Sequence, residues 1–394
     1  MTKGEKLDYL FLLWGMSSHD SLGAVNGQIY SIANKLSKDK NKVGIVYISY
    51  YSVFSKYNMV SEKGILFRIK SYVSGIIYSR PISAIKTYFF RKKDGKILDS
   101  NIEIYLSGTH LKKFRVEHIV TSYWWAIMLA EKVYPHNDLY FIVYHDYCND
   151  VLHSNSKNIP ELQRAYKSSN LILANKALMG KFPGNYPLIT EGIDIEKFKC
   201  KDGVNKKIDN MVLVPLRNNP LKGAEYAIAA MNMLHNEFPE LKIVAYGDFT
   251  GDVNDFVEFK HIIRDEVLKE YYCKATYFIL PSVVEGIPEP LLEAMAGGCA
   301  CISTACGGPQ EVIDDGVNGI LVPVRDPVSI FSAFKKLYEN KNMTKTIMDQ
   351  AITTTANYDL NRTYEEFKDA INFYRDKKSI KCAGFSVKRI LLRS

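Results

Sequence analysis

Pro281-Ser282-Val283-Val284-Glu285-Gly286-Ile287-Pro288-Glu289-Pro290-Leu291-Leu292-Glu293-Ala294-Met295-Ala296-Gly297-Gly298 is the stretch on which the reading of this chain turns. The apolar run Tyr277–Leu280 leads into it as a strand. Pro288 and Pro290 forbid a helix through the middle of the segment, but Pro290 suits the first turn of a helix that starts there. Glu285 is therefore expected in a loop at a strand end, and Glu293 in the first turns of a helix running to Ala296. A helix start presents free N–H groups and the positive end of its dipole, which is a seat for a phosphate. Carboxylates on either side of that seat suit the neutral hydroxyls of a sugar and a ribose.

The same strand-then-helix rhythm extends outward in both directions. Strands are expected at Leu10–Trp14, Val43–Ser49, Ile102–Leu106, His118–Thr121, Leu139–Tyr144 and Leu171–Ala174, with a helix over Asn26–Leu36. The chain turns polar over Lys199–Asn210, and the pattern then restarts. Met211–Leu216 and Lys242–Tyr246 read as strands, Ala224–Glu237 as a helix, and Cys301–Ser303 as a further strand. Such alternation specifies parallel sheets covered by helices on both faces. At 394 residues the chain suits two domains. The expected fold is α/β, with two Rossmann-like domains facing across a cleft. Residues 1–200 form the first domain and 201–358 the second. A terminal helix is expected over Tyr358–Asp376; in folds of this type that helix crosses back to the first domain, which would take 359–394 with it. In such sheets ligands bind beyond the carboxyl ends of the strands.

A second cluster supports the first. Arg217-Asn218-Asn219-Pro220-Leu221-Lys222-Gly223 follows the strand Met211–Leu216. Two fixed cations at a strand end can neutralise a departing diphosphate. No Asp-x-Asp occurs in the chain, so a metal clamped in that way is not expected and no cofactor is called for.

The quoted segment resembles the E-x7-E signature of family 4 glycosyltransferases, followed by their small-residue helix and a Gly-Gly turn at Gly307-Gly308. That resemblance implies a retaining, metal-independent transferase of the GT-B type that takes its sugar from a nucleotide-diphosphate donor. It places Glu285 near the donor sugar and Glu293 on the ribose. It gives Gly286, Ile287, Pro288, Glu289 and Leu292 contacts to the donor. Arg217 and Lys222 resemble the family's R-x4-K-G pair for the leaving diphosphate. Gly23 resembles a loop glycine near a donor phosphate, although the family usually shows paired glycines there and this chain has Gly23-Ala24. His145 resembles the histidine that touches the donor sugar. Glu191-Gly192-Ile193-Asp194, with Phe198, is similar to the family's N-G-V-D-x3-F turn, with Glu191 in place of the usual Asn. Pro288 is a further departure: many members carry Gly there and use its N–H, which proline lacks. The likeness is strong over about 187–325 and thin over 50–135.

The net charge of +8 is unevenly placed. Residues 1–100 carry +9, the last 18 residues +6 and the remainder −7. Such asymmetry points to a surface that meets polyanions. Pro81–Lys93 mixes apolar and cationic residues, which suits an anionic membrane surface better than nucleic acid, for which no binding motif is present. A solvated basic face explains the same residues. The tail Lys377–Ser394 has the same mixture and is read either as lying on a membrane or as disordered. No stretch approaches the ~20 apolar residues of a membrane span. The short run Leu10–Trp14 is read as a buried strand rather than a signal peptide. A cytoplasmic protein, either free or peripheral at the inner face of the membrane, is the expectation. The seven cysteines are then expected reduced, with Cys299, Cys301 and Cys306 as small buried residues rather than zinc ligands.

The resemblance implies a glycosyltransferase, and the basic first domain points to a lipid-linked or cell-surface glycan as its acceptor, as in polysaccharide biosynthesis. Two rival readings stay open: a sugar-nucleotide epimerase of the same fold, and a non-catalytic basic surface-binding protein.

Overall fold

The computed structural model describes residues 5–14, 24–48, 103–105, 114–144, 159–182, 184–200, 207–261 and 265–391. Its contacts divide the chain into two units, Met1–Ile189 with Tyr364–Ser394, and Thr190–Thr363.

In the first unit, β1 (Glu5–Trp14), β2 (Val43–Ile48), β3 (Glu103–Tyr105), β4 (Phe114–Thr121), β5 (Asp138–Val143) and β6 (Asn170–Leu173) form one sheet in the order β3-β2-β1-β4-β5-β6. Every pairing is parallel. Alternate residues of β1 serve opposite faces, as the period of 2 requires. Leu10 and Leu12 join the core under α2 (Trp124–Val133) and α3 (Ile159–Ser168). Phe11 and Leu13 join the core under α1 (Ala24–Lys38). Tyr364, Phe367, Ala370 and Ile371 of the last helix, spaced along one helical stripe, complete that second face.

The second unit repeats the plan. β7 (Ile208–Leu216), β8 (Lys242–Gly247), β9 (Val257–His261), β10 (Ala275–Leu280), β11 (Ala300–Thr304) and β12 (Ile320–Val322) lie in the order β12-β11-β10-β7-β8-β9, again all parallel. Between and after the strands run α4 (Ile195–Phe198), α5 (Ala224–Glu237), α6 (Asp265–Lys274), α7 (Glu289–Ala296), α8 (Pro309–Val312), α9 (Pro327–Glu339), α10 (Lys341–Thr355) and α11 (Leu360–Leu391). Each sheet reverses its winding direction between its first and fourth strands, the order of a doubly wound dinucleotide fold. In the second unit that switch point lies between β7 and β10. The loops at their carboxyl ends, 217–223 and 281–288, are therefore neighbours.

Most strands begin earlier than their apolar runs. Glu5 and Lys6 pair with Phe114 and Arg115, extending β1 and β4 through polar residues. The edge strands β9 and β12 escaped the sequence reading. β9 alternates apolar and charged residues, Val257-Glu258-Phe259-Lys260, and is half exposed, whereas β12 has only three residues. The last helix continues through the basic tail to Leu391. Among the described residues no helix is long and apolar enough to cross a membrane.

The polar stretch Lys199–Asn210 lies inside the second unit. Ahead of it, Ile193 and Phe198 are buried in that unit's core, and Ile193 exchanges backbone hydrogen bonds with Tyr358 and Leu360. The expectation of reduced cysteines is corrected: Cys200 and Cys273 form a disulfide between this stretch and α6, across 73 residues of sequence. Their separation carries no motif, and only the fold brings them together. Cys299 and Cys301 are free and buried, whereas Cys306 is free and half-buried.

Candidate functional site

Lys222 closes a 3-10 turn, Pro220–Lys222, that the Asn219 side chain caps by accepting from the Leu221 N–H at 3.0 Å. Gly223 follows with φ 68°, and a Cβ there would meet the Pro281 carbonyl oxygen at 2.0 Å. Only glycine permits this approach. The Val283 N–H donates to the Leu221 carbonyl at 2.7 Å, tying the two switch-point loops together.

Across this junction Lys222 Nζ donates to both carboxylate oxygens of Glu285, each at 2.7 Å. Ser282 Oγ donates to Glu285 Oε1 at 2.7 Å. Glu285 is mostly buried, at 11% side-chain exposure, whereas Lys222 at 37% keeps one side open. A paired, hydrogen-bonded carboxylate of this kind is held in one orientation. The backbone of Glu285 is clamped as well: its N–H donates to the Cys306 carbonyl and its carbonyl accepts from the Gly308 N–H. A Cβ on Gly308 would lie 1.8 Å from the Gly286 carbonyl oxygen, so the Gly-Gly turn is what lets these loops touch. Burial pushes the nearby Cys306 thiol up to about 11, which leaves it protonated and unreactive at neutral pH.

Glu293 stands in the second turn of α7, where Leu291, Leu292, Ala294, Met295 and Ala296 are buried. Its Oε2 accepts from the Tyr272 hydroxyl at 3.0 Å, and that hydroxyl meets the Tyr246 hydroxyl at 2.8 Å. Burial drives both phenol pKa values up, so both stay protonated donors. Sequence reasoning missed the two tyrosines, which read as ordinary apolar core. Lys207, placed by sequence in a polar linker, is also part of this support. Its Nζ donates to the Tyr272, Ala275 and Gly297 carbonyls at 2.6, 2.8 and 2.6 Å, capping the ends of α6 and α7. Burial lowers its pKa.

The expected residues fall into two groups. Lys222, Ser282 and Glu285 form one. Glu293 belongs with Tyr272 and Tyr246, and the charge of Arg217 is also felt at Tyr246. Arg217 lies over the end of β8, its Cδ beside Gly247. Lys222 is engaged by Glu285 rather than standing as an isolated cation beside Arg217. The start of α7 offers fewer free N–H groups than expected. Pro288 and Pro290 have none, and the Leu291 and Leu292 N–H groups donate to the Pro288 carbonyl. The Ile287 and Leu292 side chains are buried in the core, so any contact they make with a ligand is through backbone. His145 and Gly23 lie outside the described residues, as do Pro81–Lys93.

Residues 211–340, which hold both groups, match the family model of glycosyl transferases group 1. The chain is 31% identical to the amylovoran biosynthesis glycosyltransferase AmsK of Erwinia amylovora over 169 residues, 38% of this chain and 41% of that protein. It is 22% identical to an uncharacterized glycosyltransferase of Methanocaldococcus jannaschii over 302 residues, 66% of this chain and 84% of that one. The matches span about half the length of the first two curated relatives, 41% and 55%. Among solved structures, Anabaena Alr3699/HepE in complex with UDP and glucose superposes with a TM-score of 0.66 at 15% identity, covering 93% of this chain and 99% of that one. Sucrose-phosphate synthase from Thermosynechococcus elongatus gives 0.63 at 15% identity, covering 96% and 100%. The fold, two Rossmann-like units with parallel sheets, is the one these GT-B structures share.

Proposed function

We propose that this protein is a retaining glycosyltransferase that moves a sugar from a nucleotide-diphosphate donor to a glycan acceptor without a metal ion. The observation that carries the reading is the Lys222–Ser282–Glu285 cluster. It lies at the carboxyl-end switch point of the second sheet, within the segment that matches glycosyl transferases group 1.

In this reading the donor diphosphate lies against Lys222 and Arg217, whose charge offsets the negative charge that develops as the glycosidic C–O bond breaks. Lys222 has three N–H groups, so it holds Glu285 and a phosphate oxygen together. Glu285 orients the sugar, and Glu293, set by Tyr272, accepts from the ribose hydroxyls. The acceptor oxygen attacks the anomeric carbon on the face that the diphosphate leaves. Its proton passes to a donor phosphate oxygen, so charge and atoms balance. His145 is assigned to the sugar and Gly23 to a phosphate by resemblance alone. UDP-glucose is the first donor to test, because a structure of the same fold binds it. The similarity to a glycosyltransferase of amylovoran biosynthesis supports an acceptor in polysaccharide biosynthesis; the basic first 100 residues and tail are the reason to propose a lipid-linked acceptor met at the cytoplasmic membrane face.

The test is thermal shift against a panel of nucleotide-diphosphate sugars in excess chelator, followed by transfer assays. One donor is expected to stabilise the protein, and Lys222→Ala to remove that shift. Glu285→Ala is expected to abolish transfer while leaving the fold intact. NMR of the product is expected to show the donor's anomeric configuration. No response to any donor, with or without metal, overturns the proposal, and an inverted product overturns retention.

A further inference from the structure

Asn218 follows Arg217 just beyond the end of β7, and it is exposed to water. An exposed asparagine in a turn most often serves water or its own backbone. This one reaches across to the loop that leaves β8. Its Nδ2 donates to the Asp248 carbonyl at 2.5 Å, and its Oδ1 accepts from the N–H and the hydroxyl of Thr250, each at 3.0 Å. Its backbone N–H donates to Asp248 Oδ1 at 3.2 Å. Both halves of the carboxamide and the main chain are thus committed to one neighbouring loop. A single bond of this kind, within reach of water, contributes little. Four from one residue fix the register of two loops, because the side-chain freedom lost in making the first is not lost again for the others.

The loop on the far side is itself anchored: Phe249, between Asp248 and Thr250, packs against the core of the second unit. The residue this arrangement fixes is Arg217. Before it, Leu216 stands opposite Gly247 in the β7–β8 pairing, and after it Asn218 is tied to Asp248. A Cβ on Gly247, where φ is 140°, would lie 2.1 Å from the Leu216 carbonyl oxygen and 3.3 Å from Arg217 Cδ. The arginine stem therefore runs against the end of β8, with its backbone held to that strand on both sides. Lys222, at the other end of the same loop, takes its orientation from the Glu285 carboxylate instead.

We propose that Asn218 is a positioning residue that aims Arg217 at the donor diphosphate by clamping the carboxyl ends of β7 and β8 together. The proposal rests on the donor reading above and deepens it, since it names the residue that sets one of the two cations. Arginine recognises phosphate through a planar fork, so its use depends on direction as well as on charge. An arginine on an unclamped loop keeps its charge and loses that direction. Asn218 itself touches no reacting group in this reading and acts only through its neighbour.

The test is a double-mutant cycle on the whole chain, with UDP, GDP, ADP, CDP and dTDP as probes in calorimetric titrations. Asn218→Ala is expected to melt within a few degrees of the parent, because the side chain is exposed. It is expected to weaken binding of the diphosphate that the parent takes by about tenfold, the scale of one charge-assisted hydrogen bond. In the Arg217→Ala background the same substitution is expected to change affinity by less than about twofold. Equal losses in the two backgrounds, or no loss in either, overturn the proposal and leave the donor reading standing. Arg217→Ala binding as tightly as the parent, or a parent that takes none of the probes, overturns the donor role of Arg217 and the proposal with it. Thr250→Val removes one bond of the clamp from its other side and is read by the same criteria, so the outcome does not hang on Asn218→Ala folding. A smaller loss with the same dependence on Arg217 is expected of it.

Discussion

Lys222 and Glu285 are 63 residues apart, yet their side chains meet at 2.7 Å because both loops leave the sheet at its switch point. Neither group is best viewed singly. The lysine holds the glutamate in place, and its partly exposed ammonium is where the proposed donor diphosphate would lie. Tyr272 does the corresponding work for Glu293, and its hydroxyl stands between Glu293 and Tyr246. Tyr272→Phe removes one fully buried hydroxyl and leaves Tyr246 with an unmatched one, a cost of about 1–2 kcal/mol. The expected result is a donor KM about tenfold higher with kcat less affected, read by steady-state kinetics. A kcat loss with KM unchanged would place Tyr272 in the chemical step instead.

At the scale of elements, glycine contacts and one covalent link decide the geometry. Gly308→Ala would force a Cβ against the Gly286 carbonyl and part the loop that carries Glu285. A loss of about 3 kcal/mol, the upper range of overpacking, is expected in chemical denaturation, together with loss of transfer. The disulfide Cys200–Cys273 ties the stretch after α4 to α6, the helix that presents Tyr272. A loop closed across 73 residues is worth about 4 kcal/mol in the chain-entropy account. Adding reductant is therefore expected to lower the melting temperature. Cys273→Ser is expected to melt at the reduced value and to ignore reductant. Equal melting of the parent with and without reductant would show that the bond contributes nothing to stability.

At the scale of the whole molecule, charge is the informative property. The excess of +9 in residues 1–100 and +6 in the last 18 is a sequence fact, whatever the conformation of those segments. A net basic surface that meets a membrane works through screened attraction. Co-sedimentation is expected to show binding to vesicles containing anionic lipid, loss of that binding as salt is raised, and none to neutral vesicles. Salt-independent binding, or binding to neutral vesicles, would remove the case for an acceptor presented at an anionic surface.

The sequence by itself determined the alternation of strands and helices, the two-sheet plan, and the loop positions of Lys222 and Glu285. Those features are written in local terms: apolar runs, prolines that end helices, and glycines that permit close turns. Ala224–Glu237, for example, is bounded in the structure as its periodicity predicts. Only the tertiary structure decided which partners those residues meet. Tyr272 with Glu293, Lys207 with three carbonyls, and Cys200 with Cys273 are separated along the chain by strands and crossovers. Their contacts depend on strand order and on which helix covers which face. Each also joins a polar group to a buried neighbour, and a pattern of apolar periodicity says where the core is without saying which polar atoms must be satisfied inside it.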